Sequence, residues 1–283
     1  MTSTCRVRMQ ARKIGKEPFP QMLKYKLTIE YDGTSYRGWQ TQLNARSIQG
    51  TLTEAAKEIL GPQLELQGAG RTDAGVHALA QVAHIATDKK MPPQRLQEAL
   101  NDLLPANINV KKVEEAPADF HARHHAKMRS YIYIISKRRT AFGKRYVWWI
   151  KDRLDMNRMR DILELFRGFH DFASFADKRF DKDASTLVKL HSAEMHEIGE
   201  LIVIRIVGSH FLWKMVRRMV GIMVEAGRGN LFPPDIKRML TAKSEIPAKF
   251  TAPPSGLFLE QVLYEGDAPH PLKLPPVPLL FGK

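Results

Sequence analysis

Cysteine is almost absent from this 283-residue chain, Cys5 being its single representative. One thiol can form neither an intramolecular disulfide nor a cysteine-based zinc site, and a reducing compartment is the simplest setting. Long hydrophobic runs are lacking too. No segment reaches the roughly 18 apolar residues that span a bilayer. The most apolar candidate helix, His210 to Ala226, is interrupted by Lys214, Arg217 and Arg218. Acid is in short supply: 30 Asp and Glu face 44 Lys and Arg, a formal charge of +14. Such an excess favours a polyanionic partner, because neutralising phosphates releases counterions. Nucleic acid fits this balance better than an anionic membrane surface.

What is present reads as an alternation of strands and helices. Residues 1–22 form a basic extension, with no apolar run of the kind a secretory signal needs; a transit peptide is the alternative. "KYKLTIEYDG" predicts a strand ending in an Asp-Gly turn. Ser47 is placed to cap a helix over "IQGTLTEAAKEIL", with Ile48, Leu52, Ala55 and Ile59 on one face and Gly61-Pro62 as its stop. "HALAQVAHIAT" alternates like a strand. Pro92 and Pro93 open a helix carrying Leu96, Leu100 and Leu103, and "NINVKKVEEA" is strand-like again. A similar order recurs. "RSYIYIIS" is a strand with Tyr131, Tyr133 and Ile135 on one face and Ile132 and Ile134 on the other. Asp155 caps a helix bearing Met159, Ile162, Leu163 and Phe166. Two strands meet at Gly199-Glu200, a helix follows Ser209 and ends at Gly227, Pro233-Pro234 start another, and "GLFLEQVLY" is the last strand. The fold class is therefore α+β, with lobes over 23–120 and 121–267 and a Pro-rich surface tail over 268–283.

The chemistry concentrates in "LQGAGRTDAGVHALAQ", Leu66 to Gln81. Gly68, Gly70 and Gly75 suit positive φ and close approach of another molecule, so Asp73 is expected on a loop. A turn aspartate bonded to nearby amides is the plain reading. The pattern is neither a P-loop nor a dinucleotide fingerprint, and a carboxylate at its centre would repel phosphate. An acidic nucleophile or general base in a basic protein is the other reading.

"GAGRTDAGVHA" resembles the signature of the TruA family of tRNA pseudouridine synthases, and further motifs follow in the family's order. "YDGTSYRGWQ" at 31–40 is similar to its opening motif and "SIQGTLTEAA" to the helix after it. "FHARHHAKMRSYIY" at 120–133, "GSHFLWKMVRRMVG" at 208–221 and "APPSGLFLEQVLY" at 252–264 resemble the segments carrying the active-site tyrosine, an arginine and the closing strand. The resemblance spans about residues 23–265. It implies two α/β lobes with antiparallel sheets joined around a central basic cleft. It implies isomerisation of uridine to pseudouridine in the anticodon arm of tRNA, at the uridines conventionally numbered 38, 39 and 40. Asp73 would be the nucleophile or base and Arg71 would displace and hold the target nucleotide. Tyr131 would stack on the flipped uracil and take part in removing the proton from carbon 5. Arg217 would pair with Asp73, and Leu257 would pack on the base. A stacked base cannot be reached, so flipping is required, and an aspartate can attack sugar or base or deprotonate the sugar. A homodimer with tRNA across both subunits, no cofactor and a cytoplasmic location complete the expectation. A synthase for other RNA positions and a catalytically silent RNA-binding module are the rival readings.

His121, His124 and His125 lack a fourth ligand or an HExxH pattern, so an RNA-facing or structural role is expected in place of a metal. Trp148-Trp149 reads as a buried pair between the lobes. The stretch 175–190 departs from the family pattern: Ser185-Thr186 stands where an Arg-Thr pair is common, which removes one expected RNA contact.

Overall fold

In the computed structural model, which describes residues 22–177 and 185–272, local signals set most element boundaries. β1 spans Leu23–Tyr31 and stops at Asp32, whose carboxylate accepts from the Thr34 amide and starts a short 3-10 turn. Ser47 caps α1 (Ile48–Leu60) by accepting from the Gly50 amide at 3.1 Å, and Gly61 ends it at φ 86°. The buried stripe of α1 runs through Ile48, Leu52, Ala55, Ala56 and Leu60, and Ile59 packs against the same core while partly buried. After β2 (Leu64–Gly68) and β3 (His77–Thr87) comes α2 (Pro93–Leu103). It buries Leu96 and Leu100, but Leu103 is exposed and Leu104, just past the last turn, faces inward in its stead. β4 (Ile108–Ala116) closes this half.

The second half holds β5 (Met128–Ser136), β6 (Trp148–Trp149), α3 (Met156–Leu165), β7 (Gly168–Asp171), β8 (Leu187–Ile198) and β9 (Leu201–Gly208). α4 (Met215–Gly227), α5 (Pro233–Thr241), α6 (Ile246–Lys249) and β10 (Leu257–Leu263) follow. Asp155 caps α3 through the amides of Asn157 and Arg158. α4 begins at Met215 and not directly after Ser209, because Lys214 sits at φ 64°, which a right-handed helix cannot continue through. Nor is Gly227 a left-handed stop. It is the last helical residue, and Gly229, at φ 84°, takes the left-handed place.

The described strands form one ten-stranded sheet in the order β4-β1-β3-β10-β5-β9-β8-β7, with β2 on β3 and β6 on β5. Pairing is antiparallel except for β10 with β3 and β5 with β6. The antiparallel sheets expected of two lobes are thus continuous. β10 from the chain's end lies between β3 of the first half and β5 of the second. Helices cover one face, where Tyr131, Tyr133 and Ile135 join the main core. On the reverse face Ile132 and Ile134 pack with Val147, Val203 and Phe258. Each fully buried Leu, Ile or Phe contributes about 1.5–3 kcal/mol, so β5, covered on both faces, is a rigid and dry place for a functional group.

A buried ion pair fixes the junction from behind: Arg205 Nε donates to Glu260 Oε2 at 2.7 Å, and Ser130 Oγ to the same oxygen at 2.5 Å. Arg205 Nη2 also donates to the His270 carbonyl at 2.8 Å, which lays the first tail residues on this face. The basic extension through residue 21, part of the 175–190 stretch and the tail from 273 lie outside the described residues.

Candidate active site

The loop between β2 and β3 is tied down along its length before it offers a side chain. The Ala69 amide donates to Val82 O at 2.7 Å, and Gln81 Nε2 donates to Gly70 O at 2.9 Å. Thr72 is buried; its hydroxyl meets the Tyr31 hydroxyl at 2.8 Å and its carbonyl accepts from the Trp39 amide at 3.1 Å. Asp73 then opens a tight turn in which the Val76 amide donates to Asp73 O at 3.1 Å and Gly75 stands at φ 77°. Of the three glycines singled out from the sequence, only Gly75 needs positive φ. Gly68 is small because a β-carbon there would lie 2.5 Å from the Trp39 ring. Gly38 does the decisive work from outside the loop. It sits at φ 95°, and a β-carbon on it would come within 2.5 Å of Thr72 O. The opening motif therefore clamps the Asp73 loop backbone to backbone.

The cation that meets Asp73 arrives from α4. Arg217 Nη1 donates to Asp73 Oδ2 at 2.7 Å, and Arg217 Nε donates to Ala252 O at 2.7 Å. Both side chains are largely buried, 14% and 16% exposed for arginine and aspartate, so solvent screens the pair little. Charge-assisted hydrogen bonds of this kind are about twice as strong as neutral ones. Gly221 makes the arrangement possible, since a β-carbon there would lie 1.5 Å from Phe250 O. Only glycine lets the 250–252 segment press against α4 and present Ala252 O to the guanidinium. Next door, Arg218 turns away. Its guanidinium donates to Ala176 O, and burial pulls its pKa below the usual range despite the opposing Asp177 charge.

Tyr131 faces the same region from β5. Its ring meets Phe211 edge-on at 4.9 Å, and its hydroxyl makes no hydrogen bond among the described residues. Burial pushes the phenol up to about 12, the Arg129 guanidinium opposing this and the Asp73 carboxylate adding to it. Leu257 begins β10 opposite Tyr133, on the face that Tyr131 shares, and is 6% exposed. Tyr133 itself is committed elsewhere, donating to Pro253 O at 2.8 Å. The structure thus joins Asp73 with Arg217 directly and keeps Tyr131 and Leu257 on one face of the sheet, on the neighbouring strands β5 and β10. Arg71 stands apart: it is exposed, and Nε donates to Gln40 Oε1 at 3.1 Å.

One residue absent from the sequence reading is Arg129. Its guanidinium donates to the carbonyls of Ala126 and Ser209 through Nη1 and of Ala69 and Arg123 through Nη2, at 3.0–3.2 Å. It gathers the Asp73 loop, the 123–126 segment and the approach to Phe211 around Tyr131. The available signal was an arginine opening an otherwise apolar strand. His121 caps a turn, its Nδ1 accepting from the Arg123 and His124 amides at 3.2 and 3.3 Å. Trp148 is half-buried, edge-on to Tyr133, but Trp149 is exposed and lies under Arg139 at 5.8 Å, so the pair is not buried as expected. β6 pairs with the end of β5, Trp148 with Ile135 and Trp149 with Ser136, and the two side chains point to opposite faces of the sheet, as alternation along a strand requires.

Residues 27–125 and 162–265 match the family model described as tRNA pseudouridine synthase. The tRNA pseudouridine synthase A of Caldicellulosiruptor bescii is 41% identical over 241 residues, covering 84% of this chain and 98% of its own. That of Rhodopseudomonas palustris is 44% identical over 247 residues, covering 86% of this chain and 100% of its own.

Proposed function

The chain belongs to the tRNA pseudouridine synthase family and isomerises uridine to pseudouridine in tRNA, and from that premise we propose that its targets lie in the anticodon arm, at uridines 38, 39 and 40, with Asp73 as the reacting group. The observation that carries the residue assignment is the orientation of Asp73. Arg217 holds Oδ2, while Oδ1 has no hydrogen-bond partner among the described residues. The reaction breaks the bond between the ribose carbon and uracil N1, turns the base, and closes a new bond to carbon 5. The carbon-5 proton is lost and one is gained at nitrogen, so the exchange is redox-neutral and asks only for acid–base and covalent help from side chains.

Each neighbour has a task in that sequence. A flipped uracil needs a plane to rest on, and stacking on an aromatic ring contributes about 1–3 kcal/mol. Tyr131 supplies the ring and Leu257 the apolar floor. With its phenol pushed up to about 12, Tyr131 is a neutral hydroxyl near neutral pH; it polarises or relays a proton and does not act as a standing phenolate. Arg71, exposed two residues before Asp73, exchanges its bond to Gln40 for the RNA and fills the space of the displaced nucleotide. Two copies of the chain sharing one tRNA, and a cytoplasmic location, extend the same reading; light scattering on the pure protein would give about twice 32.3 kDa for the dimer.

The test is to incubate unmodified tRNA with the pure protein and map pseudouridine at single-nucleotide resolution. Product at 38, 39 and 40 supports the assignment, and product confined to other positions overturns it.

A further inference from the structure

Lys214 is the one non-glycine residue at positive φ among the described residues, at 64°. An L side chain crowds the backbone there, and the conformation persists only where the surroundings hold it. Lys214 stands directly before α4, three residues ahead of Arg217. Its hold comes from Asp177, just past the short turn that follows β7. Asp177 Oδ2 accepts from Lys214 Nζ at 2.7 Å, and the Asp177 amide donates to Trp213 O at 3.0 Å. The same carboxylate oxygen lies 3.9 Å from Arg218 Nη2, while Arg218 Nη1 donates to Ala176 O. The carboxylate is 9% exposed, so solvent screens it little from either cation.

These contacts bear on Arg217 through the rotation of α4 about its own axis. Every residue of the helix except Arg217 is buried. A helix that is apolar nearly all round has no single stripe to turn inward, so apolar packing specifies its rotation only weakly. Directional polar contacts specify it sharply. Near the far end of α4, Glu225 accepts from Arg228 and Asn230, which lie just past the helix in sequence. At the near end, Lys214 and Arg218 are drawn to residues 176 and 177. Arg217, about 100° around the helix from Arg218, reaches Asp73 and Ala252 O on another side. Turning the helix by that angle would exchange the two arginines. We propose that Asp177 is a positioning residue: through Lys214 and Arg218 it fixes the rotation of α4 that presents Arg217, and not Arg218, to Asp73; this rests on Asp73 being the reacting group.

The experiment uses the full chain. Asp177→Asn and Lys214→Met are each made alone and together with Arg217→Lys, with thermal melts to verify folding. Single-turnover rate and tRNA dissociation constant are measured separately for each. Asp177→Asn removes the charge at nearly constant volume. It should slow the chemical step about tenfold, a fraction of the cost of an ångström-level misplacement, with tRNA affinity within about threefold of wild type. Lys214→Met keeps the partly exposed stem and loses the charge, and should slow the step by at least about threefold. In Arg217→Lys the link to Asp73 is already impaired, so adding either substitution should cost less than about twofold more. A wild-type rate in either single variant, a loss that falls on tRNA affinity and not on rate, or penalties that multiply in the double variants overturns the role of Asp177. Asp73→Ala is assayed in parallel. Product from that variant overturns the site reading and the role of Asp177 together, whereas no product from it with multiplied penalties overturns the role of Asp177 alone.

Discussion

Arg217 and Asp73 meet at 2.7 Å across 144 positions of sequence, and the arginine reaches the carboxylate with its Nε already bonded to Ala252 O. One guanidinium therefore reads two positions at once, the loop after β2 and the segment before β10. Lysine has a single nitrogen and can serve one of them. Arg217→Lys should lower kcat by about 100-fold, the scale of an ångström-level misplacement at a reacting group. Affinity for tRNA should stay close to wild type. Single-turnover assays would show this, and an unchanged kcat would contradict the dual role.

The approach of the 250–252 segment to α4 depends on Gly221. A β-carbon there would lie 1.5 Å from Phe250 O, a backbone atom that cannot swing aside. Gly221→Ala should destabilise the protein by about 1–3 kcal/mol and lower activity through Arg217. Denaturant unfolding measures the first effect; an unshifted midpoint would show that the segment moves at no cost.

His84 gives the fold a pH dependence. Its ring is 2% exposed and Nδ1 accepts from the Ala122 amide at 3.2 Å, so it is held neutral. Burial first, then the His121 and Lys24 charges, lower its pKa from 6.5 to about 4. The folded value lies below the unfolded one, so the unfolded chain takes up the proton first as pH falls. The stability His84 contributes is complete above pH 6.5 and is lost between 6.5 and about 4. His84→Asn, which keeps an acceptor, should flatten this slope in urea midpoints measured across that window. A slope unchanged by the substitution would assign it to other groups.

The charge of +14 makes tRNA binding a salt-sensitive quantity. If about six phosphates are neutralised, affinity should fall about a thousandfold between about 50 and 200 mM salt. A nearly flat response in filter binding would mean that the positive excess does not act through phosphates.

Elements bounded by local chemistry were legible in the sequence. The Asp32 turn, the Ser47 cap and the Gly61 stop are written in residues that act on their own neighbours, and β3 and β10 follow from their patterns. Asp73, Tyr131 and Arg217 were found by resemblance to a known family, and the coordinates bring Arg217 onto Asp73. What could not be read was tertiary. Adjacent arginines 217 and 218 differ by about 100° around a helix, and nothing local says which one meets the site and which one Ala176 holds. Gly38 and Gly221 are explained only by backbone atoms distant in sequence. Arg129 looked like the polar start of a strand until four carbonyls were found around it. Leu103 and Leu104 were indistinguishable by period, and the cap decided between them.

The account turns on the carboxylate of Asp73, and replacing it tests that directly. Asp73→Ala should yield no pseudouridine above background under single-turnover conditions, while tRNA affinity measured in the same samples stays within about threefold of wild type, because the group serves chemistry and not phosphate contacts. Product formed by this variant at a rate within about tenfold of wild type would contradict it.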